Sequence, residues 1–321
     1  MKKLLIAALL AGITTGVVNS QENILATDVL NFSKTNTWGT ARSLGLNGAY
    51  GSLGADIASM GINPAGLGFY RTSDLSLSLG GNTNYAHSNY LGNKYDDFKT
   101  NYNLGNIGFV YTSNTLAEEG WVSFSFGASF TRISDFNRSV TIKNPNASSS
   151  LLDDFNHNAN TNYSPTPSGS PVSDPSTLDY YYEYLAVDHK LMLQDPKNYN
   201  YFSDYTNAYN TYGEYMERRI DISGGVGEWN LSFGANYSNK LYLGASLGLD
   251  NLTYNEESKH TEITPQSVSV LRQFTFGTVA KMTGSGANLK IGAIFKPVSF
   301  LRFGLAIHTP TYYSLNTEFH T

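Results

Sequence analysis

Apolar and polar side chains alternate residue by residue along much of the chain after residue 72. In the clearest segments Leu, Phe or Trp takes every second position, and Ser, Gly, Asn or Thr takes the positions between. A period of two residues is that of a β-strand with one apolar face. The pattern predicts strands over residues 72–90, 99–113, 121–137, 219–237, 240–257, 280–296 and 299–310.

Two features of these strands favour a membrane β-barrel over a soluble β-sandwich, which also alternates. The strands reach the roughly 9–11 residues of a tilted membrane strand, whereas sandwich strands are usually about 5–6 residues long. Their polar face carries small uncharged residues, which suit a crowded barrel interior. The sequence thus predicts an all-β, transmembrane antiparallel β-barrel. Aromatic residues near the strand ends would form its interfacial girdles: Tyr85, Tyr90, Tyr102, Tyr111, Trp121, Trp229, Tyr237 and Tyr254.

The predicted connections alternate between short and long, as do the periplasmic turns and extracellular loops of outer-membrane barrels. The short links lie near residues 114–120, 238–239 and 297–298, and the longer ones near 91–98, 138–218 and 258–279. Within the strand 219–237 the apolar positions change from even to odd numbers. This change predicts a register shift, with Gly224 and Gly225 as the site of a bulge or kink.

The number of predicted strands is odd, and the last strand has no partner. Single-chain bacterial barrels normally have an even number of strands. The final segment, SLNTEFHT, also lacks the terminal aromatic residue expected of a finished barrel. We therefore expect residues 72–321 to be the N-terminal half of a larger barrel.

The first 20 residues predict a cleaved signal peptide. Met1-Lys2-Lys3 is a short basic start, residues 4–18 are mainly apolar, and small residues precede Gln21. A transmembrane anchor is the alternative, but the run is shorter than the about 20 residues of a spanning helix, and no basic stop follows. We expect an exported protein located in the outer membrane.

The composition narrows the possible functions. The chain of 321 residues has no cysteine, which excludes disulfides and thiol catalysis, and its formal net charge of -5 offers no basic patch for nucleic acid. The 6 His residues show no HExxH or paired spacing, so neither a metal site nor a cofactor is predicted. No order of Ser, His and Asp indicates a nucleophile, and we predict that the protein is not an enzyme.

Residues 39–71 do not alternate and are rich in Gly and Ala. Irregular backbone at membrane depth must lie in protein or in water. The segment therefore predicts a plug inside the barrel, for which the Gly- and Ser-lined strand faces leave room. Asn63-Pro64 predicts a turn, and Gly66 permits backbone conformations that a side chain would forbid.

This segment resembles the start of a known family. ARSLGLNGAYGSLGADIASMGINPAGLG (41–68) is similar to the N-terminal hatch of the FadL-like transporters of long-chain fatty acids and other hydrophobic compounds in Gram-negative outer membranes. GSGANLKIGAIFKP (284–297) and LRFGLAIHTPTYY (301–313) resemble strand-and-loop blocks of the same family. The matching hatch positions are Ala41-Arg42, Gly45, Gly48-Ala49, Ala55-Asp56 and Asn63-Pro64-Ala65-Gly66.

The resemblance implies a monomeric barrel of fourteen strands, of which this chain would hold half, with residues 21–71 as a hatch that closes the lumen. Asn63, Pro64 and Gly66 would hold the hatch turn. Hydrophobic ligands would pass from an extracellular groove into a lumenal pocket. They would leave sideways into outer-membrane lipid, after hatch movement, through a gap at a strand kink, for which Gly224 and Gly225 are candidates.

The charged residues of this arrangement have two interpretations each. Arg42 and Asp56 either pair with each other in the lumen, or Arg42 binds a ligand carboxylate through its bidentate geometry. Lys290, Arg302 and His308 fall on inward positions of adjacent strands. They either form salt bridges in the lumen or steer an anionic head group.

The insert 138–218 is rich in Asn, Ser, Pro and Tyr, and DYYYEYLAVDHKLML (179–193) is its main apolar segment. One interpretation is a mobile surface loop. The other is an amphipathic lip at the cell surface that captures apolar ligands, formed by Tyr180, Tyr181, Tyr184, Leu185 and Leu191.

The sequence is compatible with two classes of function. The first is passive uptake of hydrophobic compounds, most of all long-chain fatty acids. The second is a barrel of the same fold that serves as a protein-interaction platform or a secretion-shuttle component, because fold alone does not decide function. Some relatives are labelled haemin receptors, for which His87 and His308 give little support.

Overall fold

The computed structural model describes residues 32, 39–161, 178–197, 200–203, 213–264 and 271–321. Apart from Phe32, these residues belong to one compact unit, Asn36–Thr321. The predicted signal peptide, and residues 21–38 of the predicted hatch apart from Phe32, lie outside the described residues. No helix in the described part of the chain is both long and apolar enough to span a membrane.

Antiparallel β-sheet dominates this unit. The described strands are β1 (Asp74–Tyr90), β2 (Asn93–Asn114), β3 (Trp121–Asp135), β4 (Arg138–Ala147), β5 (Leu193–Gln194), β6 (Tyr201–Phe202), β7 (Glu214–Tyr237), β8 (Leu241–Ile263), β9 (Gln273–Val298), β10 (Leu301–His308) and β11 (Tyr312–His320). β5 and β6 pair with each other, and the other nine form one sheet that curls like half of a barrel. Its main order is β1-β2-β3-β7-β8-β9-β10. β4 follows β3 along β7, and β11 follows β10 along β9, so the sheet has one position for each predicted strand.

The three links predicted to be long are shorter than expected, because the strands continue into polar sequence. The link after β1 is a tight turn of Leu91 and Gly92, whose φ angles of 49° and 87° suit a two-residue hairpin. The link between β8 and β9 covers only residues 264–272. The insert covers residues 148–213, because β4 and the start of β7 pair with each other. The predicted alternation of short and long links is therefore wrong at the first hairpin.

The register shift predicted within β7 is also wrong. β7 pairs with β8 without interruption from Tyr215 to Tyr237. The irregularity lies on the other neighbour, β3, where Arg132 pairs with Gly227 and Ser134 pairs with Val226. One extra residue in β3 makes this a bulge. Before the bulge the odd-numbered residues of β3 face inward, and after it the even-numbered residues do.

The lower part of the sheet, next to the turn 238–239, is polar on one face and apolar on the other. The inner face is the one on which residues 39–71 lie, and its Ser and Asn side chains are buried: Ser123, Ser125, Ser129, Asn230, Ser232, Ser246 and Asn288. The outer face exposes large apolar side chains: Leu75, Leu77, Leu79, Phe126, Trp229, Leu231, Leu247, Leu249, Ile291, Phe295, Phe303, Leu305 and Ile307. This distribution is the reverse of that in a water-soluble domain.

The two faces exchange character halfway along the long strands. On β8 the outward residues are apolar up to Leu249, and Asn251 and Thr253 then continue the outer face. The inward residues change in the opposite sense, to Leu252 and Tyr254, which are 1% and 5% exposed. This reversal explains the change of apolar parity that was interpreted as a register shift. It also removes Tyr254 from the predicted outer girdle.

Candidate functional site

Residues 39–71, called the inner segment below, contain three short helices. They are α1 (Ala41–Gly45), α2 (Ser59–Ile62) and a 3₁₀ helix, Pro64–Phe69. Asn63 begins the 3₁₀ helix, because its Oδ1 accepts a hydrogen bond from the backbone N of Ala65 at 3.1 Å. Pro64 takes the first helical position, where a missing N–H costs nothing. The Asn-Pro step therefore starts a helix as well as a turn.

Three glycines form a row on the inner face beneath this helix, called the glycine seat below. Gly234 on β7 pairs with Gly244 on β8, and Gly244 pairs with Gly292 on β9. A Cβ atom on Gly234 would lie 2.5 Å from Leu67 Cβ. A Cβ on either of the other two would meet the backbone of Pro64 or the side chain of Asn63 still more closely. The seat therefore lets the inner segment approach the sheet backbone directly.

The amide of Asn63 links the inner segment to two strands. Its Nδ2 donates to Gly51 O at 2.6 Å, and lies 3.5 Å from Ala293 O on β9 and 3.4 Å from Leu305 O on β10. The side chain is 1% exposed. Asn63 thus connects the inner segment to the backbone of β9 and β10.

Gly66 is needed for close packing within the inner segment. A Cβ there would lie 2.6 Å from Ser59 Cβ and 3.0 Å from Gly54 Cα. Its neighbour Gly54 has a positive φ of 68°, whereas Gly66 does not have a positive φ. The prediction that Gly66 relieves a forbidden backbone conformation is therefore wrong. The reason for a glycine at this position is space.

Arg42 and Asp56 bind different partners, so the ion pair considered for them does not form. Both carboxylate oxygens of Asp56 accept from Thr40 Oγ1, at 3.0 and 2.9 Å, and Oδ1 also accepts from Ala58 N. Arg42 is exposed, donates from Nη1 to Ala55 O at 3.3 Å, and lies 5.6 Å from the ring centroid of Tyr50. Burial raises the pKa of Tyr50, and the charge of Asp56 raises it further.

Arg302 and His308 both hold the inner segment against β10. Arg302 donates from Nη1 to Leu53 O at 2.7 Å, and its guanidinium lies 4.6 Å from the ring centroid of Phe69. His308 Nε2 donates to Ile62 O at 3.0 Å. With the carboxylates that the structure describes, neither residue forms the salt bridge that was considered for it.

Lys290 does form a salt bridge, with Glu228, inside a group of buried polar side chains. We call this group the buried cluster: Glu228, Asn230, Asp250, Asn288 and Lys290, each at most 7% exposed. Glu228 accepts from the amides of Asn230 and Asn288, both at 2.9 Å, and Lys290 Nζ also donates to Asn230 Oδ1 at 3.1 Å. Sequence reasoning found only Lys290. Glu228 and Asp250 could have been found as charges on inward positions of alternating strands.

Gly224 lies where β3 gives way to β4. Its φ of 115° favours glycine, and its carbonyl accepts from Phe136 N at 3.1 Å and from Arg132 Nη2 at 2.9 Å. A Cβ on Gly225 would lie 2.5 Å from Arg132 Nη2. A bulge therefore lies at this height of the sheet, but it is in β3 and not in β7, where it was predicted.

The described parts of the insert pack around a common core that includes Phe274 of β9. The core contains α3 (Leu151–Thr161) and α4 (Glu183–Asp188), and Glu262 of β8 binds the start of α3 through Ser150 Oγ at 2.6 Å and Leu151 N at 2.7 Å. The buried residues of this core are Leu152, Phe155, Ala159, Leu178, Ala186, Met192, Tyr201 and Phe274.

The residues of the predicted lip lie at the surface of this core. Tyr180 and Tyr181 are 67% and 42% exposed, and Tyr180 stacks on Tyr184 at 5.6 Å between ring centroids. The ring of Tyr181 contacts Phe319 of β11 at 5.3 Å. Leu185 and Leu191 are half-buried.

Comparisons with known proteins add no relative. A scan against protein-family models, a search of curated proteins and a search of solved structures each returned no match. Within the residues that the structure describes, no three His, Cys, Asp or Glu side chains are grouped so that they could hold a metal ion.

Proposed function

We propose that this chain forms part of an outer-membrane β-barrel that takes up hydrophobic compounds passively, with the inner segment as the hatch that closes its lumen. Long-chain fatty acids are the first ligand class to test. One observation carries the proposal: the lower sheet exposes apolar side chains on its outer face and buries polar ones on its inner face, beneath the inner segment. Lipid is the solvent that suits such an outer face.

The dimensions of the apolar band support this proposal. On β8 the band covers residues 241–249. At roughly 3.4 Å per residue it is about 30 Å long along the strand. A tilt of about 40° reduces this to about 23 Å along the membrane normal, close to the approximately 25 Å apolar band of outer-membrane barrels. The polar outer face beyond residue 250 would then lie outside the hydrocarbon.

The sheet has two edges to which further strands could be added. Among the described strands, β1 forms its ladder only with β2, and β10 and β11 form theirs only with β9. Unpaired backbone groups in hydrocarbon cost several kcal/mol each, on the order of a lost hydrogen bond in an apolar solvent. We propose that additional strands pair with both edges and close the barrel around the hatch.

Arg42 is the residue that we propose for the head group of an acidic ligand. Its guanidinium is exposed and has five N–H donors in a planar fork. One of its nitrogens, Nη1, donates to Ala55 O. Leu44 and Leu46, on or next to the same short helix, are 43% and 44% exposed. A fatty acid could place its carboxylate at Arg42 and the first part of its chain along these two side chains.

Uptake by whole cells tests the proposed function. The full-length protein is expressed in cells that lack other routes for fatty acids and hydrocarbons, and uptake of dodecanoate and dodecane is measured against cells without it. Native mass spectrometry of the protein in detergent would show whether either compound stays bound. Uptake of neither compound, with the protein correctly inserted, would contradict the transport function.

The insert favours a second candidate function, a protein-interaction platform. The described parts of the insert pack around a core that they share with Phe274 of β9. They expose Tyr180 and Tyr181, and exposed tyrosines are common in protein interfaces. Replacing residues 148–213 with a short polar loop separates the two functions. A transporter should keep most of its uptake, whereas a platform should lose its protein partner in affinity purification.

A further inference from the structure

The buried cluster contains more negative than positive charge. Glu228 on β7 and Asp250 on β8 are direct cross-strand neighbours, and both are 4% exposed. Lys290 is the cation within reach, and it binds Glu228 and Asn230. From the part of the chain that the structure describes, Asp250 receives one hydrogen bond, from the hydroxyl of Tyr313 to Oδ2 at 2.6 Å. The cluster as a whole therefore carries one uncompensated negative charge when both carboxyl groups are ionised.

The cluster also has more acceptors than donors. Asp250 Oδ1 and Asn288 Oδ1 are buried, and among the described residues neither has a hydrogen-bond partner. The amide orientation of Asn288 is fixed by its Nδ2, which donates to Glu228 Oε2 at 2.9 Å and to Thr311 Oγ1 at 3.1 Å. Two buried oxygens thus remain available for a donor from outside the cluster.

The position of the cluster suggests where such a donor would come from. On its lower side lies α2: a Cβ on Gly61 would be 3.5 Å from Glu228 Oε1. On its upper side the inner face becomes apolar, with Val226 and Leu252 buried on β7 and β8, the strands of Glu228 and Asp250. A molecule that reached the inner segment along this face would meet apolar side chains first and the cluster last.

We infer that the buried cluster recognises the hydroxyl group of a long-chain alcohol and disfavours the carboxylate of a fatty acid. This inference rests on the proposed transport function and narrows its ligand class at a site distinct from Arg42. A hydroxyl can donate to Asp250 Oδ1 or Asn288 Oδ1 without adding charge. A carboxylate offers no donor and brings a further negative charge next to Glu228 and Asp250. The excess of acceptors thus acts as a filter for head-group chemistry.

Binding of three ligands with equal chain length tests this inference. To leave out the carboxylate site proposed at Arg42, full-length Arg42→Ala protein, alone and with the substitutions below, is titrated in detergent at pH 8 with dodecan-1-ol, dodecanoate and dodecane. Dissociation constants are measured by calorimetry. We expect the alcohol to bind about tenfold more tightly than the carboxylate, the size of one hydrogen bond to a charged group. Asp250→Asn should reduce this ratio to less than about threefold, because the substitution removes one charge and adds a donor. Glu257→Gln, on the same strand but outside the cluster, is the matched control.

A second variant keeps the test valid if Asp250→Asn fails to fold. Among the described residues the Tyr313 hydroxyl is the one that donates to Asp250, and Tyr313→Phe removes it, so the preference for the alcohol should increase. An unchanged or smaller ratio in Tyr313→Phe would overturn the inference, as would equal binding of alcohol and carboxylate by the Arg42→Ala protein without a further substitution. In both cases uptake of dodecane or dodecanoate would leave the transport function standing. Failure of all three compounds to bind would contradict both proposals together.

Discussion

Gly244 and Gly292 lie directly opposite each other on β8 and β9, and the inner segment crosses both at the Asn63–Pro64 step. Glycine inside a strand is normally unfavourable by roughly 0.5–1 kcal/mol relative to alanine. Here it gives the backbone of Pro64 and the amide of Asn63 the space that a methyl group would fill. The same two glycines therefore weaken the strands slightly and define where the inner segment lies.

Adding a single methyl group to the seat should displace the inner segment. Gly292→Ala should destabilise its packing by about 1–3 kcal/mol, the usual cost of an overpacked site. If the inner segment closes a lumen, the variant should show higher ion conductance in planar bilayers and faster proteolysis within residues 39–71. Gly277→Ala on the same strand is the control, because a Cβ there has no neighbour closer than 3.8 Å. Equal conductance of the two variants would contradict the role of the seat.

The outer face should tolerate a charge above the apolar band and not within it. Leu247 and Thr253 point outward from the same strand, one inside the band and one beyond it. Leu247→Arg should cost about 2–4 kcal/mol in bilayers, whereas Thr253→Arg should cost little. The measurement is urea-induced unfolding in lipid vesicles. Equal stability of both variants would show that residues 241–249 do not face hydrocarbon.

Arg42 should distinguish an acid from a hydrocarbon. Arg42→Ala should weaken binding of dodecanoate by about 1.5–3 kcal/mol, the range for a hydrogen bond to a charged group, and leave dodecane binding nearly unchanged. Competition binding with the full-length protein measures both. Arg42→Lys keeps the charge but loses the planar fork, so its affinity for dodecanoate should lie between that of the unmodified protein and that of Arg42→Ala. Equal losses for acid and hydrocarbon would remove Arg42 from the head-group site.

Glu262 should hold the insert in place. It is fully buried and binds Ser150 Oγ and Leu151 N at the start of α3. Glu262→Ala would leave both donors without this acceptor, at about 1–3 kcal/mol for each buried group. Limited proteolysis should therefore cut the insert faster, while the strands below stay protected. In the control variant Glu257→Ala, on the same strand, the insert should be cut at the same rate as in the unmodified protein. No difference between the variants would show that the core alone fixes the insert.

The sequence by itself determined the strands and their lower faces. Period-two alternation is a local property, because successive side chains of a strand point to opposite faces whatever lies beside them. Residues such as Leu75, Leu77 and Leu79 could therefore be placed on one face from their spacing, and all three are exposed on the outer face. The lack of alternation in residues 39–71 likewise predicted a segment that is not part of the sheet.

Tertiary structure decided where the strands end and which polar groups meet. The upper parts of the strands bury the apolar Leu252 on the inner face and expose the polar Thr253 on the outer face, the reverse of the lower parts. A prediction that assumes one apolar face along the whole strand therefore assigns the upper residues to loops or to a register shift. A local pattern gives the period of a strand but not the medium on each side of it.

The contacts of the site are equally non-local. Glu228 meets Lys290 across 62 positions of sequence, and Asn63 reaches Leu305 across 242. Spacing could place Lys290 on the inner face, but only strand order and register could set Glu228, Asn230 and Lys290 side by side. The role of Gly66 also could not be predicted from local sequence, because the atoms that leave no room for a side chain there belong to Ser59 and Gly54. Close packing is a property of the folded chain, because the atoms that fill a site come from segments that only the fold brings together.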